Sequence, residues 1–166
     1  MTNSFSVETY SASDVKLSIG GYIITGWDNL SINRRVKAFT PVYGIRGKNT
    51  RVKNVDSSAT ITVTLIQTAQ SNDVLSTIHD LDIDEGTARI TLTLKDNSGR
   101  SVFSSNEAYI TSYPAKSFSG DFTYNTWEII LQSTQSYTVG GNGRPSTGLL
   151  DNIINDATDF VSDIFN

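Results

Sequence analysis

Two segments of the sequence alternate apolar side chains with threonine, and this two-residue period strongly limits what the chain can fold into. In residues 59–66, threonine alternates with Ala59, Ile61, Val63 and Leu65. Residues 88–95 repeat the pattern with Ile90, Leu92 and Leu94. Because successive side chains of a strand point to opposite faces, each segment predicts a β-strand with one face in a core and a hydroxyl-bearing face in water.

The other ordered segments predict a mainly β domain. Further strand patterns cover residues 15–25, which turn at Gly20 and Gly21, and residues 29–39, 101–113 and 121–132. Ser71, Asn72 and Asp73 can each cap a helix, and the apolar spacing after them predicts a short helix that ends near Asp82. The expected fold is a β-sandwich or small barrel over residues 1–139, flanked by this short helix.

The C-terminal end has a different composition. Residues 140–148 are glycine-rich and predict a linker. Residues 149–166 predict an acidic amphipathic helix, because its apolar residues recur every three or four positions and its aspartates occupy other positions. An isolated helix of this length is marginal, so it needs a partner surface. That surface can be its own β domain, a neighbouring copy or another protein.

Several classes of function find no support in the composition. The chain has no cysteine, which removes disulfides, thiol nucleophiles and thiolate metal sites. We assign its single histidine, His79, a surface or packing role on the short helix, and we expect no enzyme, no metal and no cofactor. The acidic run 80–86 lacks the glycine and the final glutamate of a calcium loop. With no basic leader and no long apolar run, we expect no signal peptide and no membrane span, and hence a soluble protein.

A basic segment interrupts the strand patterns. Residues 40–57 have no periodicity of their own and are too long for an ordinary connection, so we interpret them as a functional loop or arm. Seven of the chain's 13 basic residues lie in or beside it: Arg34, Arg35, Lys37, Arg46, Lys48, Arg51 and Lys53. A solvated loop and a nucleic-acid patch are two interpretations, although a net charge of -4 makes the whole chain a poor nucleic-acid ligand.

We favour a third interpretation, in which this arm docks on an acidic surface of another copy. The acidic acceptor patch that we predict comprises Asp73, Asp80, Asp82, Asp84 and Glu85. Complementary charge of this kind sets register and encounter rate more than affinity. Because donor and acceptor are different surfaces, the contact is head-to-tail and generates rings or open stacks.

A resemblance to a known family agrees with assembly. The run LIQTAQSNDVLSTIH, from Leu65 to His79, resembles the hallmark of tail tube (inner tube) structural proteins of contractile-tailed bacteriophages. Weaker similarities occur at residues 18–26, 95–100 and 107–110, and the likeness covers about residues 10–140. The C-terminal linker and helix lie outside it.

The resemblance implies a specific architecture. Hexameric rings join their inner sheets into a β-barrel around a lumen, and the loop at 40–57 reaches the adjacent ring. The possible lumen face comprises Thr60, Thr62, Thr64, Thr91 and Thr93. Stacked rings enclose the tape-measure protein, a sheath surrounds them, and baseplate and tail-terminator proteins close the ends. Phage DNA passes through without sequence-specific binding. Such a protein is part of the virion and is assembled in the cytoplasm of the bacterial host.

Two alternatives remain open at this point. A related tube, from a phage-like bacteriocin or a secretion system, has the same architecture. A carbohydrate-binding β-sandwich module is a different class, in which Trp27 and Trp127 stack on sugars.

Overall fold

A computed structural model describes residues 10–87 and 89–141, and most of its regular structure is antiparallel sheet. The strands are β1 (Val15–Ile19), β2 (Tyr22–Ile23), β3 (Trp27–Arg34), β4 (Phe39–Tyr43), β5 (Asn49–Lys53), β6 (Ala59–Ile66), β7 (Ile90–Asp96), β8 (Val102–Ile110), β9 (Tyr124–Leu131) and β10 (Ser136–Thr138). A short 3-10 turn spans Ala12–Asp14, and the helix α1 spans Ser71–Glu85. The predicted linker from residue 142 onward and the predicted helix over 149–166 lie outside the described residues, so the helix stays a prediction.

Eight strands form one sheet in the order β2-β1-β7-β8-β9-β6-β3, and β10 also pairs with β8. Inner residues from both ends of this sheet, such as Leu17 on β1 and Val63 on β6, belong to one buried cluster. One helix covers only part of an eight-stranded sheet, so the two halves of the sheet must pack on each other. The mainly β, sandwich-like fold is confirmed, but the strands do not close into a barrel.

The threonine-rich strands have the predicted faces, and β6 also has the predicted bounds, whereas β7 begins two residues later and ends one residue later than the predicted 88–95. On β6, each of the four apolar residues is fully buried, and the threonines between them are half-buried. On β7, Leu92 and Leu94 are buried. The first hairpin also turns where the sequence predicts, because Gly20 and Gly21 have φ of 58° and 87°. Two consecutive left-handed residues match the twist of a two-residue hairpin.

The region between β3 and β6 differs from the prediction. The strand expected over 29–39 starts at Trp27 and ends at Arg34. The stretch 40–57, expected to have no periodicity, contains most of a separate two-stranded hairpin, β4 and β5. All ten residues of these strands are exposed. A strand with no buried face has no alternation of apolar and polar residues, which is why its sequence does not show the strand period.

Helix α1 begins at a junction that the capping prediction misread. Its N-cap residue is Gln70, which makes no side-chain capping bond. Ser71 is instead buried, and its hydroxyl accepts a hydrogen bond from the Thr25 N–H at 2.9 Å. The helix continues to Glu85, three residues beyond the predicted end, and stops at Gly86, whose φ of 66° gives a left-handed C-cap.

Asn72 ties this junction to the core. Its side-chain amide donates to the carbonyl oxygens of Ile66 at 3.1 Å and Ala69 at 3.0 Å. Its side-chain oxygen accepts from the indole N–H of Trp127 at 3.0 Å. One side chain therefore joins the end of β6, the start of α1 and the middle of β9.

Candidate assembly surface

The arm, which we define as the β4–β5 hairpin with its connecting turn, has two chemically different faces. Directly opposed residues of an antiparallel pair share a face. Phe39, Pro41 and Tyr43 lie opposite Lys53, Arg51 and Asn49, and this face is aromatic and cationic. The other face pairs Thr40 with Val52 and Val42 with Thr50, and it carries no charge. Apolar side chains are exposed on both faces, so the arm lacks the buried face that normally stabilises a hairpin.

The seven predicted arm cations occupy three separate places. Arg51 and Lys53 lie on the aromatic face, where the Arg51 guanidinium is 4.4 Å from the centroid of the Phe39 ring. Arg46 and Lys48 lie in the turn at the tip, which Gly47 closes with a φ of 82°. The remaining three, Arg34, Arg35 and Lys37, lie at the base of the arm. Within residues 10–87 and 89–141, no salt bridge joins any of these cations to a carboxylate.

An open groove of about 480 Å³ lies at the base of the arm. Val36, Ala38 and Val55 provide its apolar lining, and Val55 is 91% exposed. Arg34, Lys37 and Lys53 add three cations to the lining, and Asp56 adds one carboxylate. The pKa of Asp56 lies below its usual value, first because its carboxylate accepts the Ser58 backbone N–H, with smaller contributions from Arg35 and Arg34. The Asp56 carboxylate is thus oriented toward the backbone N–H of Ser58.

The structure divides the predicted acidic patch. Asp73, Asp80 and Asp84 are seven and four residues apart on α1, so they lie along one exposed side of the helix, over about 16 Å. Glu85 is exposed at the last turn. Asp82 is half a turn away from the row, on the side of the helix that carries the buried residues, and it is half-buried with an interaction of its own. We therefore define the acidic row as Asp73, Asp80 and Asp84.

Tyr113 fixes one member of the acidic row. Its hydroxyl donates a hydrogen bond to the Asp80 carboxylate. That bond is the main reason why the pKa of Tyr113 is raised above its ordinary value, and burial and the charges of Asp80 and Asp84 contribute further. The ring of Tyr113 also meets His79 edge-on, with centroids 4.5 Å apart. His79 is buried, so it has the packing role that the sequence allowed.

The two threonine rows lie on opposite halves of the sheet. The outer face of β6 carries Thr60, Thr62 and Thr64. The strand β7, which carries Thr91 and Thr93, is three strands away in the sheet and belongs to the half that packs against the half containing β6. The β6 row continues across β3, where its partners are Asn33, Ser31 and Asn29. On β9 its partners are Ile130, Glu128 and Thr126, and Thr64 and Thr126 share a hydroxyl contact of 3.3 Å. The five predicted lumen residues do not form one continuous surface within a single copy.

The sequence reasoning missed a free sheet edge beside this row. β3 pairs with β6 along one side, and over its eight residues it has no strand partner on the other side among the described residues. The β9 segment 124–128 likewise pairs only with β6, because β8 contacts β9 from residue 129 onward. Edge position is a property of topology, so it is not visible in the residues of the strand itself.

The structure also bears on the remaining sequence-based alternatives. Trp127 is 2% exposed, so its ring is not available for stacking on a sugar. The described residues contain no cluster of three or more side chains suited to hold a metal ion. No helix in the described part of the chain is long and apolar enough to cross a membrane.

Comparison with known proteins gives one sequence relative and several structural neighbours. No family model matches the chain. Structural protein ORF10 of Pseudomonas phage KPP10 is 35% identical over 156 residues, which cover 87% of this chain and 90% of that protein.

Among solved structures, a chain of the virion of a native gene transfer agent particle superposes with a TM-score of 0.56. It is 14% identical, and the match covers 79% of this chain and all of that one. A chain of an extracellular contractile injection system, described as the PVC sheath/tube terminator in the extended state, has a TM-score of 0.47 at 15% identity. That match covers 76% of this chain and 94% of the neighbour.

Proposed function

Since the chain belongs to the family of bacteriophage structural proteins that includes Structural protein ORF10 of Pseudomonas phage KPP10, we propose that it is the subunit of a phage tail tube. In this proposal, hexameric rings of the chain stack into the inner tube of a contractile tail, and the tube conducts DNA during ejection. A bacteriocin or secretion tube has the same architecture, but membership in a phage family favours the tail.

The observation that carries this proposal is the arm, an ordered hairpin whose strands bury no residue against the described part of the chain. All ten of its strand residues are exposed, and they include Phe39, Val42, Tyr43 and Val52. An isolated two-stranded hairpin is at best marginally stable in water. Exposed apolar side chains on such an element mark a contact with another molecule.

The acidic row supplies a surface of matching charge and length on another copy. Five strand residues extend about 17 Å, and the acidic row extends about 16 Å along α1. An arm that lies along the helix of a copy in the next ring can therefore place Arg46 and Lys48 near one end of the row and Lys53, at the last position of β5, near the other. Because arm and row are different surfaces, the contact repeats from ring to ring without closing.

The outer face of β3, β6 and β9 is the part that suits a lumen. Apart from Tyr124, whose ring is also exposed, its side chains are mainly hydroxyls and amides, with the carboxylate of Glu128 and no cation among the paired positions. Phosphate binding depends on lysine and arginine, so DNA would slide past this face without being retained. Of the residues first assigned to the lumen, we keep Thr60, Thr62 and Thr64 and leave out the β7 row.

The free edges offer a way to close the ring. Unpaired strand edges in native proteins are normally covered or blocked. β3 leaves eight residues open at one side of the lumen face, and β9 leaves residues 124–128 open at the other. We propose that β3 of one copy pairs with this segment of the next, which makes the lumen face continuous around the ring. The tube role implies contacts with tape-measure, sheath, baseplate and tail-terminator proteins, and assembly in the host cytoplasm.

Electron microscopy of the purified chain, combined with two matched charge reversals, tests the proposal. The test variant carries Arg46→Glu and Lys48→Glu at the arm tip. The control carries Lys16→Glu and Lys95→Glu, which changes the net charge by the same amount as the test variant. Lys16 and Lys95 are exposed and lie opposite each other on β1 and β7, so the pair has like charges both before and after the change. Wild type and control should form stacked rings, whereas the arm variant should form rings that do not stack.

Each possible outcome has a distinct meaning. Single rings from the wild type would assign the chain to a ring-forming tail part that does not polymerise. A chain that stays monomeric under all conditions would overturn the proposal. Equal tube lengths for the two variants would leave the tube intact and refute the role of the arm.

A further inference from the structure

We propose that the groove at the base of the arm binds the acidic C-terminal segment 149–166 of the same chain. The inference goes beyond the tube function, and it rests on the composition of the groove, the composition of the segment and the place where the described chain ends.

The groove and the segment are complementary in both charge and apolarity. Val36, Ala38 and Val55 give the groove an apolar lining, and its three cations outnumber the single carboxylate, which accepts the Ser58 backbone N–H. Residues 149–166 contain four aspartates and no basic residue. Placed on a helix, the segment puts Leu150, Ile153, Ala157, Phe160 and Ile164 along one stripe and the aspartates away from it. An amphipathic helix in a groove is a common recognition mode.

The path of the chain brings the segment to the groove. Tyr137 on β10 lies under Arg34, whose guanidinium is 4.6 Å from the ring centroid, and Arg34 lines the groove. The chain continues only four residues further, to Gly141, whose carbonyl oxygen accepts a bond from the Arg100 N–H. That point is within about 14 Å of Tyr137 even for an extended chain. The composition of residues 142–148 predicts a linker, and a glycine-rich chain of seven residues would span about 16 Å on average, which is enough to return to the groove.

A short tether makes this contact favourable within one chain. A flexible linker of this length holds its two ends at an effective concentration in the millimolar range. A groove of about 480 Å³ accommodates a few anchoring side chains rather than a whole helix, and a weak contact is sufficient at such a concentration.

Crosslinking in the full-length chain tests the docking, and the absence of native cysteine keeps the labelling specific. Ser57 lines the groove and is half-buried, so Ser57→Cys changes little in volume. This substitution is combined with Ala157→Cys, which lies on the apolar stripe, and treated with a short bismaleimide in the dilute, monomeric fraction. The control pair combines Ala157→Cys with Ser13→Cys at an exposed site near the start of β1. The groove pair should give about tenfold more intrachain product than the control pair.

Charge reversal then identifies the groove as the binding surface. Lys37→Glu with Lys53→Glu should lower the intrachain yield about tenfold, the factor that two exposed ion pairs together supply. Reversal of Lys16 and Lys95 should leave it unchanged. Equal yields from both cysteine pairs would overturn the proposal, and a product that joins two chains would assign the groove to the segment of another copy. This experiment does not require tubes, so it can fail or succeed independently of the tube function.

Discussion

Asn72 is the residue at which the sequence and the structure make opposite predictions about one substitution. A residue that caps a helix through its side-chain oxygen tolerates Asn→Asp well, because aspartate is an equally good cap and its charge favours the helix N-terminus. In the structure, however, the Asn72 amide donates two hydrogen bonds, to Ile66 and Ala69, and its oxygen accepts one from Trp127. Asn72→Asp keeps the acceptor and removes both donors. The structure therefore predicts a destabilised protein.

The magnitudes follow from what each substitution leaves unsatisfied. Asn72→Ala leaves the indole N–H of Trp127 without its partner, and an unpaired buried donor costs about 1–3 kcal/mol. The carbonyl oxygens of Ile66 and Ala69 keep a second donor from the backbone, so losing the amide costs about 0.5–1 kcal/mol for each. We expect a decrease of about 2–5 kcal/mol in the free energy of unfolding for Asn72→Ala. For Asn72→Asp we expect a decrease of about 1–3 kcal/mol in the free energy of unfolding. Two hydrogen bonds are lost, and the new carboxylate oxygen repels the carbonyl oxygens of Ile66 and Ala69.

Thermal and denaturant unfolding of the full chain measure these changes. For a domain of this size, 3 kcal/mol corresponds to a decrease of about 6–12 °C in Tm. The control is Thr77→Ala, an exposed position on the same helix whose hydroxyl bonds only to the Asp73 carbonyl oxygen and which should change stability by less than about 0.5 kcal/mol. If Asn72→Asp is as stable as the wild type, Asn72 is a helix cap and the description of the junction is wrong.

Two further predictions concern two glycines with positive φ and the phenol of Tyr113. Gly26 has a φ of 74°, and a Cβ there would lie 2.6 Å from the Ala69 Cβ, so Gly26→Ala should destabilise the chain by more than Gly47→Ala. Gly47 has a φ of 82° but open space around it, so Gly47→Ala should cost only about 1 kcal/mol of backbone strain. Urea unfolding of the two variants measures both losses of stability. The raised pKa of Tyr113 predicts that ultraviolet titration finds one phenol ionising above the ordinary value of 10.0, and that Asp80→Asn removes this shift. Because the folded-state pKa is the higher one, the associated stability is present below the unfolded-state pKa and is lost as pH rises through the folded-state pKa.

Sequence patterns located the strands that bury one face and missed the strands that do not. β6 could be bounded correctly because its four inner residues are fully buried and its threonines are not. The arm strands β4 and β5 have no buried residue, so nothing in their sequence alternates. β10 is only three residues long and pairs with the first part of β8, which is too short to show a period. Burial of a single face, and not strand formation itself, is what a two-residue period reports.

The candidate site was predictable in its charges and unpredictable in its geometry. The basic residues near the arm and the acids on α1 could be read directly from the chain. Asp82 could have been separated from the acidic row by helical geometry alone, because nine residues beyond Asp73 place it on the opposite side of the helix. The free edge of β3 depended instead on strand order, and strand order arises from contacts between residues that are distant in sequence.

The contrast between the junction and the arm predicts the order in which the proposed tube assembles. At the junction, the side chain of Asn72 joins β6, α1 and β9, and the Ser71 hydroxyl accepts the Thr25 N–H, so the acidic row sits on a helix that is fixed to the core. Among the described residues the arm has no such support, so part of the free energy of the proposed docking would be spent on holding it in place. We therefore expect the contact of a single arm to be weaker per unit area than that of a rigid surface. A ring presents several arms at once to several fixed acidic rows, and this multivalency raises the overall affinity above that of a single arm. We therefore expect rings to form before they stack.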